Sequence, residues 1–174
     1  MAWEFGILQA IQGMRTPLLD QLMVFITSLG DEGLLWIALG VAFLCRKKTR
    51  PMGFTLLLSL LLGHLVGNSF LKPLIARPRP CHVMPEVELL LDRPSSYSFP
   101  SGHTMSSFEG AVSIFLFNRR WGVPALIVAA LIGFSRMYVF VHFPTDVLVG
   151  LLLGVLHAWL MYKLVLWWMS RKKG

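Results

Sequence analysis

Two histidines, a carboxylate and three cations stand along this chain at spacings that suit the transfer of a phosphoryl group. They fall in three clusters: Lys72 with Arg77-Pro78-Arg79-Pro80, then Pro100-Ser101-Gly102-His103, then Ser135-Arg136 with His142 and Asp146. Lys72, Arg79 and Arg136 supply positive charge, two of them as planar forks that match phosphate oxygens. Ser101 is placed to cap a helix whose first turn holds Gly102 and His103. A helix start presents unpaired N–H groups and the positive end of a dipole, an anion site before any side chain is counted.

The two imidazoles can divide the work, one attacking phosphorus and the other protonating the departing oxygen. Asp146 lies one helical turn beyond His142. Its carboxylate can hold one ring nitrogen and leave the other lone pair free, which makes His142 the candidate nucleophile. His103 has no carboxylate in its own cluster and suits the general acid. Side chains supply the positive charge, so the scheme calls for no metal and no cofactor. Cys45 and Cys81 lack metal-site spacing and are expected on opposite sides of a membrane, without a disulfide.

Each cluster also has a plainer use. Lys72 and Arg79 can anchor helix ends at an interface, Pro100 to His103 can be a loop and cap, and His142 with Asp146 a helix-cap pair. His64 and His157 are assigned to packing or helix contacts. What favours one site is that all three clusters fall on the same side of the membrane, in the order a single site needs.

The elements that position these residues are apolar. Of 174 residues 55% are hydrophobic and only 14% are charged, with a mean hydropathy of +0.64; a soluble domain carries about 25% charged residues. The hydrophobic residues come in blocks, so the expected fold is an all-α integral membrane bundle, one domain over 1–174. The net charge of +7 does not point to nucleic acid. Its basic blocks, Arg46-Lys47-Lys48, Arg119-Arg120 and Arg171-Lys172-Lys173, each follow an apolar run, as cytoplasmic loop charges do. The first thirty residues lack the clean apolar core of a signal peptide.

Five spans are expected: Leu34–Cys45 (borrowing residues from about Leu29), Met52–Leu71, Thr104–Phe117, Trp121–Val141 and Thr145–Met169. Pro144 sits where a first-turn proline belongs. Residues 1–14 mix Trp3, Phe5, Ile7, Leu8 and Ile11 with Gln and Glu, a pattern for an amphipathic helix lying in the interface. A short segment over 18–29 follows, and the two together are alternatively one tilted sixth span. The loop from Lys72 to Phe99 is placed in water. A multi-pass protein of the inner membrane results, with every unusual polar residue on the non-cytoplasmic face.

The three clusters resemble the signatures of the type 2 phosphatidic acid phosphatase family: Lys72 with Arg79-Pro80, Pro100-Ser101-Gly102-His103, and Ser135-Arg136 with His142 and Asp146, matched without a substitution. The resemblance covers about 72 to 146. It implies a phosphohistidine on His142, protonation of the leaving group by His103, orientation of His142 by Asp146, and phosphate binding by Lys72, Arg79, Ser101, Gly102, His103 and Arg136. Membrane members of the family usually have six helices, and this chain departs from them at its N-terminus. Small bacterial members are similar to undecaprenyl pyrophosphate and phosphatidylglycerophosphate phosphatases. The implied partner is therefore a lipid phosphate or pyrophosphate in the bilayer. The polyprenyl diphosphate is preferred because the chain lacks a soluble domain for a large head group, and Arg77 is expected to help hold a second phosphate.

Overall fold

Long apolar runs interrupted by Gly, Pro and short basic loops leave the backbone only one economical way to satisfy its polar groups in lipid, which is the helix. The computed structural model describes residues 2–171, so Lys172 and Lys173 lie outside the described residues. Among these residues all regular structure is helical: α1 (Ala2–Gln12), α2 (Pro17–Ser28), α3 (Leu34–Leu44), α4 (Arg50–Gly63), α5 (Lys72–Ile75), α6 (Pro80–Val83), α7 (Gly102–Phe117), α8 (Arg119–Tyr138) and α9 (Pro144–Arg171). Between α4 and α5, His64–Leu71 winds as a wider π-helical turn.

Among the described residues three stretches are long and apolar enough to cross a membrane, Arg50–Val83, Arg119–Tyr138 and Pro144–Arg171. A fourth exists if α2 and the Asp31–Leu44 stretch, bent by 42°, count as one pass. By length and composition alone the described helices thus support three or four spans rather than the expected five or six. The 11 residues of α3 rise roughly 16 Å, against the roughly 30 Å of a bilayer core. The 16 residues of α7 rise roughly 24 Å and also fall short. Helix α7 packs against α3, α4, α8 and α9, and protein rather than lipid surrounds it, so it carries Thr104, Ser107, Glu109 and Ser113 fully or nearly fully buried. These groups are paired across helices: Trp36 Nε1 donates to Ser107 Oγ at 3.2 Å, Ser59 meets Ser113 at 3.2 Å, and His157 Nδ1 meets Glu109 Oε1 at 2.7 Å.

The N-terminus also departs from expectation. Helices α1 and α2 do not join into one span, because the chain breaks after Gln12 and Thr16 caps α2 by accepting from Leu19 N at 3.3 Å. Nor is α1 an interfacial helix with its polar residues outward. Glu4 is buried with Leu8 and Ile11, while Trp3 and Ile7 are exposed. Gln12 donates to the Tyr138 carbonyl at 2.7 Å, which ties α1 to the end of α8.

Helices α7 and α9 approach closely because α9 presents Gly150 and Gly154 one turn apart. A Cβ at Gly150 would lie 2.7 Å from the Ser101 carbonyl oxygen, and one at Gly154 would lie 2.6 Å from that of Met105. Small residues four apart let membrane helices bring their backbones together. Replacing Gly154 by Ala should therefore force the helices apart and cost about 1–3 kcal/mol of stability. A lowered midpoint for thermal unfolding in detergent is the expected result; an unchanged midpoint would contradict the close packing.

Candidate active site

The three clusters meet at one end of the bundle. Helix α4 starts at Arg50 and runs toward this end through the wide turn at 64–71. That turn brings Asn68 and Lys72 beside the start of α7: a Cβ at Gly102 would lie 3.2 Å from Asn68 Oδ1 and 3.7 Å from Lys72 Nζ. Ser101 caps α7, its Oγ accepting from Thr104 N at 3.4 Å and Thr104 Oγ1 at 2.9 Å. After α8 the chain reverses at Phe140, whose φ is 60°. The N–H groups of Val141 and His142 then return to the Arg136 carbonyl at 3.2 and 3.3 Å. Cation and imidazole, six residues apart, are brought back together by that reversal.

Lys72, Arg79, Gly102, His103, Arg136 and His142 line one cavity of about 1130 Å³. Ser101 and Asp146 stand behind its wall, both fully buried. Ser135 is also behind it, donating to the Ile132 carbonyl at 2.7 Å. Arg136 is nearly buried, with Nη1 donating to Thr27 Oγ1 at 2.5 Å and Nε without a partner among the described residues. A buried guanidinium N–H left unpaired is costly unless something accepts from it, and a phosphate oxygen in the cavity fits that need.

The environment of His142 fixes its tautomer. Arg79 Nη1 lies 3.1 Å from Nε2 and also donates to the Val141 carbonyl at 3.0 Å. Guanidinium can only donate, so Nε2 carries the lone pair and Nδ1 the proton. Nδ1 faces Asp146 Oδ2 at 3.6 Å and Ser98 Oγ at 3.5 Å, and Ser98 in turn donates to Asp146 Oδ2 at 2.5 Å. Asp146 Oδ2 also accepts from Phe143 N at 2.8 Å. Burial, followed by Arg79 and Arg136 and opposed by the Asp146 hydrogen bond, holds the imidazole well below its ordinary range. His142 is therefore neutral, with its free lone pair toward the cavity cations.

His103 has no carboxylate in its own cluster but meets one from elsewhere in the chain: Asp31 Oδ1 lies 2.9 Å from its Nε2, brought there by the turn between α2 and α3. Two expectations from the sequence need correction. Arg77 does not face the cavity, because it is committed on the far side of Asp146, to Asp146, Thr145 and Glu4. His64 is exposed and lines the cavity rather than a packed interface. Ser98 and Asp31 were missed because nothing in a lone Ser or a loop Asp 72 positions from its partner marks it locally. His103 itself, ahead of the 104–117 segment, is pushed down to about 4 by burial and then Arg136, with Asp31 opposing and Lys72 adding.

Comparison with known proteins identifies the family of the chain. Residues 52–170 match the PAP2 superfamily. The chain is 38% identical over 137 residues to an undecaprenyl-diphosphatase of Sulfolobus acidocaldarius, a match covering 78% of this chain and 66% of that protein, just under two thirds of its length. It is 30% identical over 193 residues to a lipid A 4'-phosphatase of Porphyromonas gingivalis, covering 98% of this chain and 76% of the relative. The crystal structure of a transmembrane PAP2-type phosphatidylglycerolphosphate phosphatase from Bacillus subtilis superposes with a TM-score of 0.78 at 31% identity, over 94% of this chain and 84% of that one. The chain therefore belongs to the PAP2 superfamily, and it is a membrane phosphatase of that family.

Proposed function

We propose that the substrate is undecaprenyl pyrophosphate, and that hydrolysis runs through a phosphohistidine on His142 without a metal ion. The carrying observation is the make-up of the cavity. One wall has Lys72, Arg79, Arg136 and both imidazoles; the other has Ile37, Leu57, Leu60 and Leu61. A phosphorylated head fits the first and a hydrocarbon chain the second. The name of the Sulfolobus relative supports the polyprenyl diphosphate. The superposition on the Bacillus subtilis enzyme supports a second reading, phosphatidylglycerophosphate or phosphatidic acid. The commitment of Arg77 elsewhere removes one reason for preferring a pyrophosphate.

In the first step Arg79 moves its Nη1 from His142 Nε2 to a phosphate oxygen, and the freed lone pair forms the N–P bond. The P–O bond to the departing lipid breaks, and His103 gives that oxygen its proton. In the second step His103 takes a proton from water, the water oxygen bonds to phosphorus, and the P–N bond breaks to release phosphate. Lys72, Arg79, Arg136 and the start of α7 hold the charge on the transferring group throughout. Asp146, steadied by Ser98, keeps Nδ1–H of His142 in place.

The membrane reading follows the charges. Arg46 to Arg50, Arg119, Arg120 and Arg171 lie at the end of the bundle opposite the cavity, which supports a site on the non-cytoplasmic face of the inner membrane. Five passes result if α2 and α3 act as one bent crossing and α7 crosses inside a protein sheath.

Purified protein in detergent with EDTA should release inorganic phosphate from undecaprenyl pyrophosphate with a higher kcat/KM than from phosphatidylglycerophosphate, phosphatidic acid or lipid A. Replacing His142 by Ala should lower kcat by about 10⁴-fold or more. Full activity in that variant, or loss of wild-type activity in EDTA, contradicts the mechanism. A phosphorylated acceptor in place of inorganic phosphate would make the protein a transferase.

The pH dependence separates free protein from complex. The acid form of His103 is required, and its low affinity for a proton in the free protein brings the alkaline limb of kcat/KM down, below the ordinary histidine value. A bound phosphate dianion favours the imidazolium, so the alkaline limb of kcat should lie at higher pH. Coincident limbs would contradict this. Asp31→Asn removes a group that favours the proton on His103, and should shift the kcat limb toward lower pH; an unmoved limb would show that Asp31 does not act on His103.

A further inference from the structure

The first helix reaches the back of the active site through one closed ring of charged and polar groups. Arg77 Nη1 donates to Asp146 Oδ1 at 2.6 Å and Thr145 Oγ1 at 2.7 Å, and its Nη2 donates to Glu4 Oε2 at 2.7 Å. Thr145 Oγ1 closes the ring by donating to Glu4 Oε1 at 2.6 Å. Glu4 is 4% exposed and Asp146 0%, so these charges interact with little water between them. The Arg77 guanidinium lies over the Phe143 ring at 4.0 Å, and Phe5 of α1 meets the same ring edge-on at 5.2 Å.

We propose that Glu4 is a positioning residue for phosphoryl transfer: through Arg77 it sets how strongly Asp146 holds the Nδ1–H of His142. The proposal rests on His142 being the nucleophile. Two carboxylates share one guanidinium here, so the group carries a net negative charge on the side of His142 away from the cavity. That charge opposes Arg79 and Arg136, which press on the imidazole from the cavity side. Positive charge develops on the ring as the N–P bond forms, and Asp146 stabilises it. With Glu4 neutral, Arg77 would act in full on Asp146 Oδ1 and draw the carboxylate's charge away from Nδ1–H. The charged groups facing the Asp146–His142 pair are then Arg77 and Arg79 from the loop after α5 and Arg136 from α8, with Glu4 from α1 balancing Arg77 and Asp31 acting on Arg136. Helix α1 lies outside the residues 52–170 matched by the superfamily, so this control comes from beyond the matched segment.

A purely structural salt bridge would dock α1 and nothing more, and the test must separate the two. Full-length Glu4→Gln, Glu4→Asp and wild type are compared in detergent, with only monodisperse protein assayed. The first readout needs no turnover: the Nδ1–H proton resonance of His142 in 15N-histidine spectra, assigned with His142→Ala. Glu4→Gln should move that resonance upfield, as for a weakened hydrogen bond, with Glu4→Asp in between. The second readout is kinetic, with undecaprenyl pyrophosphate and phosphatidic acid as probes. Glu4→Gln should lower kcat about 10-fold, the scale of other orienting partners, with KM within about twofold. It should also move the acid limb of kcat/KM to lower pH, because a less stabilised imidazolium loses its proton more readily. An unmoved resonance overturns the proposal, as does wild-type kcat in the folded variant. If the wild type turns over neither lipid, the functional reading fails while the resonance still decides the role of Glu4.

Discussion

One close approach, α7 against α9, governs the catalytic end of this bundle. Gly150 and Gly154 let the two backbones come together, and the Ser101 N–H then reaches the carbonyl oxygen of Asp146 at 3.1 Å. That bond ties the turn that starts α7 to the turn that starts α9. The start of α7, with Ser101 as its cap, and the start of α9, which carries Asp146, are fixed to each other. Every distance in the site inherits its tolerance from that contact, since catalytic geometry is only as good as the elements that hold it.

Three cations around one cavity repel each other, and the fold manages this repulsion without filling the cavity. Arg79 is held by the Ser96 carbonyl at 2.7 Å, Ser96 Oγ at 2.9 Å and the Val141 carbonyl. Arg136 is held by Thr27. Neutral acceptors orient both guanidiniums while leaving their charge uncancelled on the cavity side. Carboxylates also sit against these groups: Asp31 on His103, Asp146 behind His142 and Glu4 on Arg77, while Glu32, Asp92 and Glu109 line the cavity itself.

The apolar bundle serves the same arrangement. Buried polar contacts between helices, such as Trp36 with Ser107 and His157 with Glu109, hold α7 in one register among its neighbours. The cavity descends between α3, α4 and α7 along leucines, so its charged and apolar linings share one opening. Membrane and site are one structure here rather than a catalytic domain set on an anchor.

Much of this was legible in the residues themselves. Residue type and spacing determined the helical membrane class, the cap at Ser101, the pairing of His142 with Asp146 one turn on, and the set of cations, because each of these depends on local geometry: helical periodicity, dipole and the chemistry of a fork. Span number was not legible, because hydropathy counts residues without knowing whether lipid or protein will surround them; α7 is short and polar for its position only until its neighbours are seen. Nor was the burial of Glu4, since a helix with Glu among apolar residues looks the same whichever face turns inward. The tertiary structure alone decided that Asp31 meets His103 across 72 positions, that Ser98 stands between His142 and Asp146, and that Arg77 turns its back on the cavity to join Glu4. Those contacts are made by chain segments far apart in sequence, and no local preference encodes which distant partner a charge will find.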